Sequence, residues 1–98
     1  MIELSMNTPA SVAIDLAARA KKRRLALHMT QAELACRAGI PLATYRRFEQ
    51  TAQISLQGLL SVAAALNAID DFQQLFASNT WGTMDEMLAA KQTIKRAR

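Results

Sequence analysis

The chain has 98 residues, one domain's worth, and is 51% apolar but holds only five aromatic residues, three glycines and two prolines, a balance that favours packed helices over a sandwich or barrel. A single cysteine, Cys36, leaves no internal disulfide, the longest apolar run (Leu59 to Leu66, broken by Ser61) is too short for a bilayer, and no basic start precedes an apolar stretch, so a cytoplasmic protein without a signal peptide is expected. The net charge of +4 is divided: residues 1–47 hold eight bases and three acids, 48–90 hold five acids and no base, and 91–98 hold four bases, a pattern that suits either a polyanion-binding face or an ordinary solvated surface.

Thr8-Pro9 supplies an N-cap and a proline at the first helical position. Val12, Leu16, Ala20 and Leu25 then recur at helical spacing, predicting a first helix to about Leu27. Its end, Lys21-Lys22-Arg23-Arg24, places cations where the helix dipole favours them. Thr30-Gln31-Ala32-Glu33 is a capping box that opens a second helix. That helix runs to Ala38 and stops at Gly39, a residue suited to the left-handed end of a helix. Ile40 follows as an apolar plug and Pro41 restarts a third helix, with Thr44, Tyr45 and Phe48 on one face and Leu42, Ala43, Arg46, Arg47 and Gln50 on the other. Two short helices joined by a tight glycine turn make a helix-turn-helix.

Ser55 caps a fourth helix whose core stripe is Leu56, Leu59, Leu60, Ala63 and Leu66. Asp70 to Gln73 resembles a further cap, opening a short helix through Phe76 in which Phe72 and Phe76 pack into the core. Thr83-Met84-Asp85-Glu86 is a second capping box, followed by an apolar stripe of Met84, Met87 and Leu88 and a basic tail, Lys91 to Arg98. The expected fold is all-α, a compact domain of five to six helices over residues 8–76, with a C-terminal extension at 77–98. Residues 66–90 are expected to build a dimer interface.

The run Thr30-Gln31-Ala32-Glu33-Leu34-Ala35, then Ala38-Gly39-Ile40, then Thr44-Tyr45-Arg46-Arg47-Phe48-Glu49 resembles the Cro and lambda-repressor type of helix-turn-helix, also called the xenobiotic-response-element family. The resemblance covers roughly Leu16 to Leu66. It implies a lambda-repressor-like DNA-binding domain whose third helix enters the major groove of double-stranded DNA. On that reading Arg47 is the leading base-reading residue, through the two-pronged contact an arginine makes with guanine. Arg46 reads a base or takes a phosphate. Leu42 and Ala43, which depart from the polar residues many relatives carry, either pack on thymine methyl groups or only stabilise the helix start.

The same resemblance makes Gln31 a phosphate anchor at the second helix's N-terminus and pairs Arg24 with Glu49 in an internal ion bridge. Thr30, Thr44, Lys21, Lys22, Arg37 and Gln50 complete the candidate phosphate contacts, with Thr30 mainly a cap. The stretch Gln50-Thr51-Ala52 lacks the glycine common after the glutamate, so the next loop is expected to differ in shape.

Catalysis is not expected, because His28 and Cys36 lie on different elements with no third group to orient them, and no phosphate-cradling loop, metal-ligand spacing or cofactor motif is present. The implied function is repression by a homodimer on a palindromic operator. The closest comparison within the family is a HipB-like antitoxin that represses its own toxin–antitoxin operon and holds a HipA-like kinase toxin. The alternatives are a stand-alone or phage-type repressor, and an interaction module whose main task is to neutralise a partner protein.

Overall fold

A computed structural model describes residues 7–77 of the protein. The second capping box, the Met84–Met87–Leu88 stripe, the basic tail and most of the expected 66–90 interface lie outside the described residues. Among the described residues there are five α-helices and no strand: α1 (Pro9–Ala26), α2 (Gln31–Ala38), α3 (Leu42–Thr51), α4 (Leu56–Ala65) and α5 (Ile69–Gln73). None is long and apolar enough to cross a membrane.

The helix starts follow from side chains that satisfy otherwise unpaired backbone N–H groups. Thr8 Oγ1 accepts from the Ser11 N–H at 3.1 Å, with Pro9 at the first helical position. The Thr30 box closes in both directions: Glu33 N–H donates to Thr30 Oγ1 at 3.0 Å, and Thr30 N–H donates to Glu33 Oε1 at 2.8 Å. Ser55 Oγ accepts from Gly58 N–H at 3.0 Å. Gly39 ends α2 with φ +72°, the region that side chains disfavour. Ala52 ends α3 in the same region, φ +61°, without being a glycine, which is how the loop accommodates the residue type missing there.

Around the core, α2 packs on both α3 and α4, α1 packs on α3, and α5 packs on α4. Leu34, Tyr45, Phe48 and Val62 are the large side chains fully enclosed, with Ala17, Ala20, Met29 and Leu66 around them. Burying an apolar side chain of this size contributes about 1.5–3 kcal/mol. Arg23 fastens α1 to the end of α4: its Nε donates to the Leu66 carbonyl at 2.6 Å and its Nη2 to the Asn67 carbonyl at 3.1 Å.

Three expectations are corrected. The inward stripe of α1 is Leu16, Ala17, Ala20 and Arg24, while Val12 and Leu25 are exposed. The stripe ends on a charged residue that is buried because it is paired, so a search for apolar spacing slips to Leu25. In α4 the buried positions are Val62 and Ala63, followed by Leu66 at the C-cap; Leu59 packs on the core while half-buried, and Leu56 is 71% exposed on the outer side. In α5 Ala68, not Asp70, holds the N-cap position with no side-chain bond. Asp70 and Asp71 sit in the first turn, where the dipole favours acids. That helix ends at Gln73, and Phe76 is 97% exposed rather than in the core.

Candidate nucleic-acid interface

Helix α3 divides its side chains cleanly. Tyr45 and Phe48 point into the core, their rings tilted at 59° with centroids 6.1 Å apart, and this fixes the rotation of the helix. Ala43, Arg46, Arg47 and Gln50 consequently lie exposed on the opposite side. Leu42 departs from the expected face: it is half-buried and packs against the core, so its side chain serves the helix start, while Ala43 stays exposed. Thr44 is half-buried and lines a small cleft with Arg47, Gln53, Ile54 and Ser55. Within that cleft Arg47 Nη2 donates to Gln53 Oε1 at 2.6 Å; along the helix, Thr51 Oγ1 donates to the Arg47 carbonyl at 2.7 Å.

Behind this face lies a polar hub centred on the Glu49 carboxylate. Arg24 reaches it with two nitrogens, Nε to Oε2 at 2.8 Å and Nη2 to Oε1 at 3.2 Å, and spends its third, Nη1, on the Met29 carbonyl at 2.9 Å. The two side chains are only 7% and 5% exposed, so the expected ion bridge forms and is buried. Tyr45 donates its hydroxyl to Glu49 Oε2, and Gln31 Nε2 donates to Oε1 at 2.9 Å. Among the described residues no buried side-chain nitrogen or oxygen lacks a partner.

Burial works to raise the pKa of Glu49, but the donors from Arg24, Tyr45 and Gln31 and the Arg24 charge outweigh it and hold the carboxyl below its ordinary value. The bond to Glu49 raises Arg24 against the opposing effect of burial. Tyr45 is raised by burial first and then by the carboxylate it donates to. The hub therefore stays ionised across the neutral range and ties α1, the N-terminus of α2 and the last turn of α3 together.

Gln31 joins the hub to the exposed face. Its Nε2 is held by Glu49 and its Oε1 accepts from Arg46 Nε at a long 3.4 Å. The expected phosphate anchor is thus half-buried, with one of its two amide N–H groups given to Glu49 and the other left to meet an acceptor. Thr30 caps α2 as expected. Lys21, Lys22, Arg37 and Gln50 are exposed, but Lys22 lies on the rim of a separate groove between α1, α4 and α5 rather than beside the arginines of α3. His28 is an exposed connector with φ +59°, and Cys36 is an exposed α2 side chain.

Two participants were not singled out from the sequence. Tyr45 stands four residues before Glu49, a spacing that puts both on one helix face and could have revealed the bond. Gln53 sits in an irregular loop, where no periodicity marks a partner. Comparison with family models, with curated proteins and with solved structures finds no match to this chain.

Proposed function

We propose that the chain is a sequence-specific DNA-binding regulator in which α2, the Gly39 turn and α3 form a helix-turn-helix. The observation that carries this reading is the outward pair Arg46 and Arg47, exposed on a helix whose other face is locked by Tyr45 and Phe48. Such a helix fits the major groove, where an arginine paired to guanine discriminates by about 1–3 kcal/mol. Arg47 reads a base, and Arg46 reads a neighbouring base or clamps a phosphate. Thr30, Thr44, Arg37, Gln50, Lys21 and Lys22 take phosphates, and Gln31 joins them through the amide N–H that Glu49 does not take. The rigid Glu49 hub sets the distance between the α2 N-terminus and α3, so both can meet one strand.

On this reading the protein represses transcription by occupying a palindromic operator as a homodimer, with half-sites about 34 Å apart. Leu75 and Phe76, both exposed at the end of the described chain, offer apolar surface to the second copy. Repression follows from occupancy and requires no chemistry. An autorepressor role in a toxin–antitoxin operon adds a toxin as partner, and a kinase-like gene beside this one is the feature to look for.

Selection of bound sites from random duplexes tests the proposal. A twofold-symmetric motif with that spacing is expected, and a pool that shows no enriched sequence overturns it.

A further inference from the structure

Arg47 does not stand alone on the outward face of α3. Its Nη2 donates at 2.6 Å to the Oε1 of Gln53, six residues further along the chain, in the cleft that both line with Thr44, Ile54 and Ser55. Ala52, left-handed at φ +61°, turns the chain out of α3 and brings Gln53 back beside the helix. Ile54 is half-buried and packs against the core, and Ser55 caps α4. Gln53 is therefore held in place by its neighbours on both sides, and its amide oxygen is returned to an arginine one and a half turns back in the helix.

We propose, resting on the DNA-binding reading, that Gln53 is a positioning residue that sets Arg47 toward one guanine and decides how strictly the operator keeps that base pair. A guanidinium carries five N–H donors in a fixed fork. Two of its edges present a parallel pair of donors, Nε with Nη2 and Nη1 with Nη2, so Nη2 belongs to both. Either edge matches the O6 and N7 acceptors of guanine. Once Gln53 takes one Nη2 hydrogen, one edge is spent and the other stays whole. Arg47 is left with one way of meeting a base through two bonds.

The same bond orders a long side chain before DNA arrives, so less freedom is lost when the base contact forms. Gln53 does not itself read a base. A glutamine recognises adenine with its amide oxygen and nitrogen together, and here the oxygen is turned to Arg47.

Gln53→Ala tests this on the operator recovered by site selection. Preference for guanine at the Arg47 base pair should fall about two- to tenfold, the range one hydrogen bond's net contribution allows, with the melting temperature unchanged. Gln53→Glu keeps an acceptor beside Arg47; its charge should weaken binding to all sequences alike while the preference survives. In an Arg47→Ala background, Gln53→Ala should change nothing further. In the DNA-free protein, NMR relaxation of the Arg47 Nε–H should show a restrained side chain that Gln53→Ala releases. A full preference in Gln53→Ala, or a further loss in the Arg47→Ala background, overturns the positioning role and leaves the DNA-binding reading standing. So does an Arg47 side chain that is already free in the unmodified protein, or an operator with no guanine at that pair. A chain that selects no sequence at all overturns the DNA-binding reading, and the role of Gln53 with it.

Discussion

Glu49 accepts from three side chains drawn from three helices, so its loss is felt well beyond its own turn. Arg24→Ala or Glu49→Ala should each destabilise the protein by about 3–5 kcal/mol, because each strands a buried group built for a partner. In urea denaturation the double variant should cost less than the sum of the singles; additive losses would show that the two charges do not depend on one another. The pH dependence has a definite sign. A carboxyl whose folded pKa lies below its unfolded value adds stability that is complete above about pH 4.3 and disappears as pH falls through the folded value. Glu49→Gln should therefore flatten the acid limb of the stability profile, read by thermal melts across that range. Outward from the hub, Arg47→Ala should weaken operator binding by about 1–3 kcal/mol and relax preference at one base pair, whereas Lys21→Ala should weaken all sequences alike. Equal losses on operator and random DNA for both variants would remove Arg47 from base reading. The Arg24–Glu49 pair was legible from the resemblance of the motif, and the Tyr45 donor from its spacing of four to Glu49 on one helix, but the Gln31 donor depends on how α2 meets α3, which no local spacing encodes.

Helix boundaries were the most readable feature, because they are set by one or two residues whose chemistry acts locally. Thr8-Pro9, the Thr30–Glu33 box, Gly39 and Ser55 all stand where their side chains or backbone freedom require. Faces were read less well. The inward side of α1 runs through Arg24, and α4 turns Val62 inward and Leu56 outward, since burial is decided by the neighbouring helices rather than by the helix itself. Two left-handed positions give opposed predictions. An added Cβ at Gly39 meets nothing within 4 Å, so Gly39→Ala should cost about 1 kcal/mol from backbone strain alone. Ala52 already bears that strain, and Ala52→Gly should stabilise the protein by about 0.5–1 kcal/mol, the relief exceeding the added freedom of the unfolded chain. Thermal or urea melts of the two variants decide both signs.

At the scale of the whole molecule the described domain leaves two apolar features uncovered, the α1–α4–α5 groove and the Leu75–Phe76 end. On the proposed dimer, Phe76→Ser should shift sedimentation toward monomer without lowering the melting temperature of the domain; an unchanged sedimentation profile would take Phe76 out of any dimer contact. Arg23 bears on a different property. The sequence shows four consecutive cations from Lys21 to Arg24, yet Arg23 is fastened to two carbonyls at the end of α4 and Arg24 is enclosed with Glu49. On the proposed DNA-binding reading, that leaves Lys21 and Lys22 of the run to displace condensed counterions from a duplex. Four such contacts would contribute about 3.6 to the slope of log affinity against log salt, and two contribute about 1.8. The run is half scaffold, and on the proposed DNA-binding reading its pull on nucleic acid would be less sensitive to ionic strength than its composition suggests.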